Sequence, residues 1–203
     1  MNTVPIPPRM AQLPRDPRGY PVPVTVLIDS SGRPQFTIND EEKRQKLLAE
    51  DRCPICGTRI IGGRWFVGGP LAAFHDHGAY IDPPMHDECA HYALQVCPYL
   101  AAPVYSGRID ARKLSADDRG SVYLDPTMLP ERPELFVAVL AHTTISHRNR
   151  LGLVQNVAPS RPYMRVEFWR HGERLDDADG QASAAAALQR PIQPQPPRLV
   201  RSK

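Results

Sequence analysis

Cys53, Cys56, His86 and Cys89 are the residues whose types and spacing most directly imply chemistry. The first two lie in Cys53-Pro-Ile-Cys56-Gly57, where two thiolates can face one ion across a tight turn whose backbone N–H groups donate to the sulfurs. Gly57 lets the backbone fold back where a side chain would collide. The other two lie in Pro83-Pro84-Met85-His86-Asp87-Glu88-Cys89, three residues apart, so both project from one side of a helix's first turn. Three thiolates and an imidazole make a closed four-coordinate set, the pattern of structural rather than catalytic zinc. The expected cofactor is therefore one structural Zn²⁺. In a reducing compartment a close CxxC pair reads as metal ligands rather than disulfides. Cys97 lies eight residues after Cys89, about 12 Å along a helix at a rise of 1.5 Å per residue, too far to share the ion. It is expected to be a buried core thiol, and His91 a surface residue.

These ligands need elements to position them. Arg59–Phe74 holds short apolar runs separated by Gly62-Gly63 and Gly68-Gly69, which predicts a β-hairpin. The prolines at 83 and 84 suit a helix's first turn, with Asp82 as its cap. That helix is predicted to reach about Cys97 and stop at Pro98, burying the face Cys89, Tyr92, Ala93 and Val96. Turn, hairpin and helix in this order predict a treble-clef-like module over residues 53–100. Before it, Val22–Ile28 and Pro34–Ile38 read as strands around the turn Asp29–Gly32. Asn39 with Glu42 reads as the capping box of a surface helix ending near Glu50. After the module, 103–134 reads as a long irregular connection. Leu135–Ala141 is a continuous apolar run suited to a buried strand, with Leu151–Val157 pairing to it and Tyr163–Trp169 a third strand. His171-Gly172 reads as a turn. Asp179 and Gly180 precede an alanine-rich helix over Gln181–Gln189, ended by Pro191. The predicted fold class is α+β, a small mixed or antiparallel sheet with two or three helices.

Composition limits the rest. The 203 residues carry a net charge of +3, but the two ends carry +2 (residues 1–21) and +4 (residues 190–203), leaving −3 for residues 22–189. Both ends are rich in proline and arginine. The predicted organisation is a flexible N-terminus (1–21), one domain (22–189) and a disordered basic tail (190–203). Net charge therefore does not argue for a basic face on the folded part. No apolar run spans a membrane, and the start MNTVPIPPRM lacks the apolar stretch of a signal peptide, so a cytoplasmic location is expected.

The segments CPICG (53–57) and PPMHDECAHYALQVCPYL (83–100) resemble a family of uncharacterised proteins from bacteriophages and actinobacterial genomes. Its members have a CxxCG turn, a glycine-containing hairpin and a PPxHxxCAxYAxxxCPFL-type helix. GYPVP (19–23) and VEFWRHG (166–172) resemble that family's flanking segments, so the likeness covers most of residues 18–189. It implies a zinc-binding phage or mobile-element protein and no particular reaction. The metal pattern falls on Cys53, Cys56, His86 and Cys89. The hairpin tip departs from the family, with Gly-Gly-Pro-Leu-Ala-Ala-Phe-His-Asp-His at 68–77.

Two functions follow. The first is a non-enzymatic binding protein whose zinc module organises a surface for a protein or a nucleic acid, the choice being open. The second is an HNH-like (His-metal finger) nuclease, because Asp76-His77 resembles that family's Asp-His pair, with His77 as general base. Against it, no Asn follows at the usual place, and His86, only nine residues on, is needed for zinc. Asp76-His77 is thus expected to be a polar loop tip. His142 and His147 lie at an odd spacing and would face opposite sides of a strand. The glycine pairs lack the Lys-Ser/Thr of a phosphate loop. Trp65 and Trp169 are expected in the core.

Overall fold

A computed structural model describes residues 4–101 and 132–189; the tail 190–203 and nearly all of the predicted connection 103–134 lie outside the described residues. The fold is α+β. A short hairpin, β1 (Val26–Ile28) and β2 (Pro34–Asn39), leads into helix α1 (Glu41–Ala49). After the Cys53–Gly57 turn come β3 (Arg64–Gly68), α2 (Pro70–Phe74), α3 (Asp87–Val96) and α4 (Pro98–Ala101). The second half contains β4 (Phe136–Ala141), β5 (Thr144–Arg148), β6 (Val154–Pro159), β7 (Arg165–Arg170), β8 (Glu173–Arg174) and α5 (Asp177–Leu188).

The largest sheet has the order β3-β4-β7-β8, every neighbour antiparallel. Its centre is β4, the predicted apolar run, and the run is apolar because both faces are covered. Phe136 and Ala138 join Trp65, Trp169, Cys53, Cys89 and Tyr92 on one face. Val137, Val139 and Ala141 join Phe66, Phe168, Val157 and Ala184 on the other. Successive residues of β3, β4 and β7 divide between the two faces as strand periodicity requires. The metal-ligand region and α3 cover the first face; α2, α5 and β6 cover the second. Both tryptophans are in the core.

Several expectations are corrected. No hairpin forms within Arg59–Phe74: β3 pairs with the distant β4, and the stretch after Gly69 becomes α2. The partner of β4 is not Leu151–Val157, because β3 and β7 occupy both its edges, and β6 pairs with β5 instead. Asn39 ends β2 and donates from Nδ2 to Asp82 Oδ1 at 2.6 Å; Asp40 is the cap of α1, accepting from Lys43 N. Asp82 therefore caps nothing, and His86 takes the N-cap position of α3. On α3 Cys89 and Tyr92 are buried as expected, joined by Ala90 and Leu94, while Ala93 and Val96 are half-buried. Helix α3 ends at Val96 with Cys97 as its C-cap, as expected, and Pro98 opens the separate short helix α4. Gly180 lies inside α5, which Asp176 caps by accepting from Asp179 N at 2.9 Å. It is glycine because a Cβ there would stand 2.3 Å from ring atoms of Phe168. His171 (φ 52°) and Gly172 (φ 83°) make the predicted turn between β7 and β8, both in the left-handed region such turns require.

Helix α1 is not a bare surface helix. Arg44 is fully buried, donating from Nε to Ile81 O at 2.6 Å, from Nη1 to Val154 O at 2.9 Å and from Nη2 to Gln155 O at 3.0 Å. Its charge is balanced by Glu41 Oε1 at 2.9 Å.

Candidate metal centre

The Cys53–Gly57 turn is built by its own backbone. Gly57 N donates to Cys53 O and Cys53 N to Thr58 O, both at 2.9 Å, and an antiparallel bridge between Arg52 and Arg59 closes the loop. Gly57 has φ 73°, and a Cβ there would also press on Val24 at 3.1 Å. The preceding segment docks on the turn, with Val24 N donating to Ile55 O and Thr25 N to Pro54 O. Strand β3 brings in the other half. Trp65 and Met85 exchange both backbone hydrogen bonds, at 3.0 and 2.8 Å, which places His86 beside the turn. Cys89 follows in the first turn of α3.

Cys53, Cys56, His86 and Cys89 are all buried, and one ligand atom from each lies within 4.8 Å of all the others. Four ligands of this kind around a tetrahedral ion stand about 3.5–3.8 Å apart, so a small contraction closes the set. His86 Nδ1 is 3.3 Å from Cys56 Sγ, while His86 Nε2 is 3.1 Å from Arg59 O. A carbonyl only accepts, so Nε2 carries the proton and Nδ1 keeps its lone pair for the cluster. Such an outer hydrogen bond fixes the tautomer and orientation of a ligating histidine. Thr58 Oγ1, 3.2 Å from Cys56 Sγ, is a hydrogen-bond partner for one of the sulfurs.

The thiols respond to their crowding. Hydrogen bonds from Cys53 and Cys89, with help from Thr58, pull the Cys56 thiol far below its usual range. Burial pushes Cys53 up, and hydrogen bonding to Cys53 and Cys56 pushes Cys89 up. A divalent cation would take all three as thiolates, with release of the remaining protons. Donor types, burial and the committed outer nitrogen of His86 all fit a metal ion.

The other sequence candidates lie elsewhere. Cys97 is the half-buried C-cap of α3, outside the group of four, with its thiol pushed up by burial. His77 is exposed in the turn after α2, its backbone N–H donating to His75 Nδ1 at 3.1 Å. Asp82 accepts from Asn39, and no group including Asp76 or His77 is among the metal-ligand clusters of the described residues. His147 Nδ1 is 2.7 Å from Asn156 Oδ1. His91 is not the surface residue expected. Its Nε2 lies 2.7 Å from Glu167 Oε2, its Nδ1 2.8 Å from Asp87 O, and its ring sits against Trp65 and Trp169. Glu167 is fully buried on β7, also accepting from Trp169 Nε1 at 3.1 Å and ion-paired with Arg165 at 2.6 Å. This contact fastens α3, and so Cys89, to the sheet. The residues that sequence reading missed are Arg59, Thr58 and the His91–Glu167 pair. Only the Glu inside the otherwise apolar VEFW hinted at the last. No helix among the described residues is long and apolar enough to cross a membrane. No protein-family model, curated protein or solved structure matches the chain.

Proposed function

We propose that this chain is a non-enzymatic zinc-binding accessory protein. One structural Zn²⁺ on Cys53, Cys56, His86 and Cys89 joins the turn to α3 and so organises a surface for a macromolecular partner. The observation that supports this most is the convergence of four buried ligand atoms within 4.8 Å, with the far nitrogen of His86 already committed to Arg59 O. Borderline-soft Zn²⁺ suits three thiolates and an imidazole, and four protein ligands leave no open position for a substrate or water. The order of turn, strand and ligand-bearing helix supports a treble-clef-like module, with the Trp65–Met85 bridge standing where a hairpin would. The resemblance of 53–57 and 83–100 to the uncharacterised phage and actinobacterial family supports a phage or mobile-element protein acting in the cytoplasm of a host cell.

Metal content tests the reading. Purified protein is expected to hold about one zinc per chain by elemental analysis. Cys89→Ala is expected to lose the metal and destabilise the fold, since structural zinc binding is coupled to folding. Cys97→Ala keeps the metal and loses only packing, on the order of 1 kcal/mol. Protein refolded with zinc that retains none, or loss of metal in the Cys97 variant alone, would refute the assignment.

A further inference from the structure

The β5–β6 ribbon carries a chemistry that the metal centre does not explain. Residues 135–166 contain four arginines and two histidines but no Asp or Glu, although residues 22–189 as a whole carry −3. Arg165 is ion-paired with Glu167 on β7, whereas Arg148 and Arg150 at the ribbon's turn and Arg161 at its base have no acidic partner among the described residues. Strand β6 lies against the body, burying Val154, Val157 and Pro159, and β5 is the outer strand, with Ile145 to Arg148 all exposed. Among the described residues β5 pairs only with β6, so its outer edge is open.

The ribbon's turn is a built structure. Asn149 N donates to Leu153 O at 2.9 Å and Gly152 N to Asn149 O at 3.0 Å, while Asn149 Oδ1 accepts from Leu151 N and Leu153 N. Gly152 supplies the left-handed residue (φ 79°). This rigid turn presents Leu151 at 84% exposure, beside an exposed Arg150 that has no hydrogen bond or ion pair among the described residues. Arg148 donates to Gly152 O at 2.8 Å and has no acidic partner among the described residues. At the base of β5 lies a cleft of about 270 Å³ with a mixed lining that includes Leu47, Pro83, Arg52, Arg64, Thr144 and Ser146. Both of its arginines are ion-paired, Arg52 with Glu50 at 2.7 Å and Arg64 with Asp51, and the buried Thr144 hydroxyl has no partner among the described residues.

We infer that this ribbon forms a binding surface for duplex DNA, which rests on the reading above that the chain is a binding protein. A two-stranded ribbon has the width the major groove admits. Arginines without acidic neighbours match backbone phosphates. In that groove the aliphatic side chain held out beside Arg150 would meet the apolar part of a base-pair edge, the thymine methyl. Charge also protects open strand edges from aggregation. Protection alone, however, would favour a charge rather than Leu151 at the most exposed position.

The test is fluorescence anisotropy of the full zinc-loaded chain with a labelled duplex of about two helical turns, between about 50 and 200 mM salt. Arg148→Ala/Arg150→Ala is expected to bind roughly tenfold more weakly at low salt, with the slope of log K against log salt reduced by about 2. Arg150→Ala alone, which breaks no contact, reduces the slope by about 1. Leu151→Ala weakens binding with the slope unchanged. Arg198→Ala/Arg201→Ala, in the basic tail, leaves the difference between wild type and ribbon variants in place. Binding that only the tail variant removes, tighter binding of single strands, or binding only to anionic vesicles or to a protein partner would overturn the proposal. Zinc content is measured for every variant, so loss of the metal assignment is read separately from loss of DNA binding.

Discussion

Replacing Arg44 with Met tests whether one buried guanidinium ties together the segments on either side of the metal centre. Its Nε holds Ile81 O, on the way to His86, and its Nη atoms hold Val154 O and Gln155 O at the start of β6. The losses are unequal. Val154 O keeps a second donor, Gln45 Nε2 at 2.7 Å, and Glu41 keeps Gln45 at 2.6 Å with its side chain 23% exposed. The cost therefore falls mainly on the charge-assisted bonds to Ile81 O and Gln155 O, at about 1–3 kcal/mol each. Met fills most of the volume, so the total is about 3–4 kcal/mol, or about 10 °C in Tm for a chain of this size. Urea unfolding followed by the fluorescence of the buried Trp65 and Trp169 measures it. Adding Glu41→Gln to Arg44→Met should recover less than about 1 kcal/mol, because Glu41 reaches solvent. An Arg44→Met protein within 1 kcal/mol of wild type would refute the accounting. Full rescue by Glu41→Gln would show that the ion pair, not the carbonyls, carries the energy.

Other expectations follow from single contacts. Glu167→Ala removes the acceptor of His91 and Trp169 from a fully buried site and should cost about 3–5 kcal/mol by denaturant unfolding. It should also speed hydrogen exchange in α3. Gly180→Ala sets a Cβ 2.3 Å from the Phe168 ring and should destabilise by about 1–3 kcal/mol, against the usual gain from Gly→Ala in a helix, as read by thermal unfolding. Hydrogen bonds from Ser31 Oγ, Arg33 N and Gln35 Nε2 hold the Asp29 carboxyl down at about 2. The folded value lies below the unfolded one, so Asp29 stabilises the β1–β2 turn above about pH 4 and this is lost as pH falls through about 2. NMR titration of Asp29 shows the midpoint, and Asp29→Asn should flatten that part of the acid-unfolding curve.

The ligand pairs were legible in the sequence because each is a local object. Cys53 and Cys56 share one turn, and His86 and Cys89 flank the first turn of one helix, so spacing alone orients each pair. The same holds for the β1–β2 hairpin, the His171-Gly172 turn and the buried strand at 136–141, whose uninterrupted apolar run has few other uses. Boundaries failed where one polar residue could replace its neighbour as a cap, as Asp40 does Asn39. Gly180 was misread because the need for a small residue came from a ring on another element. What tertiary structure alone decided is which strands meet and which charges are buried. Strand β3 carries no mark that its partner lies some 70 residues on rather than across a nearby turn. His91 and Arg44 look like ordinary solvent-facing polar residues of their helices, yet their partners are 76 and up to 111 residues away. A hydrogen bond across that distance leaves no periodicity in the chain. It exists only once the hydrophobic faces of the central strand have drawn both segments to the same place.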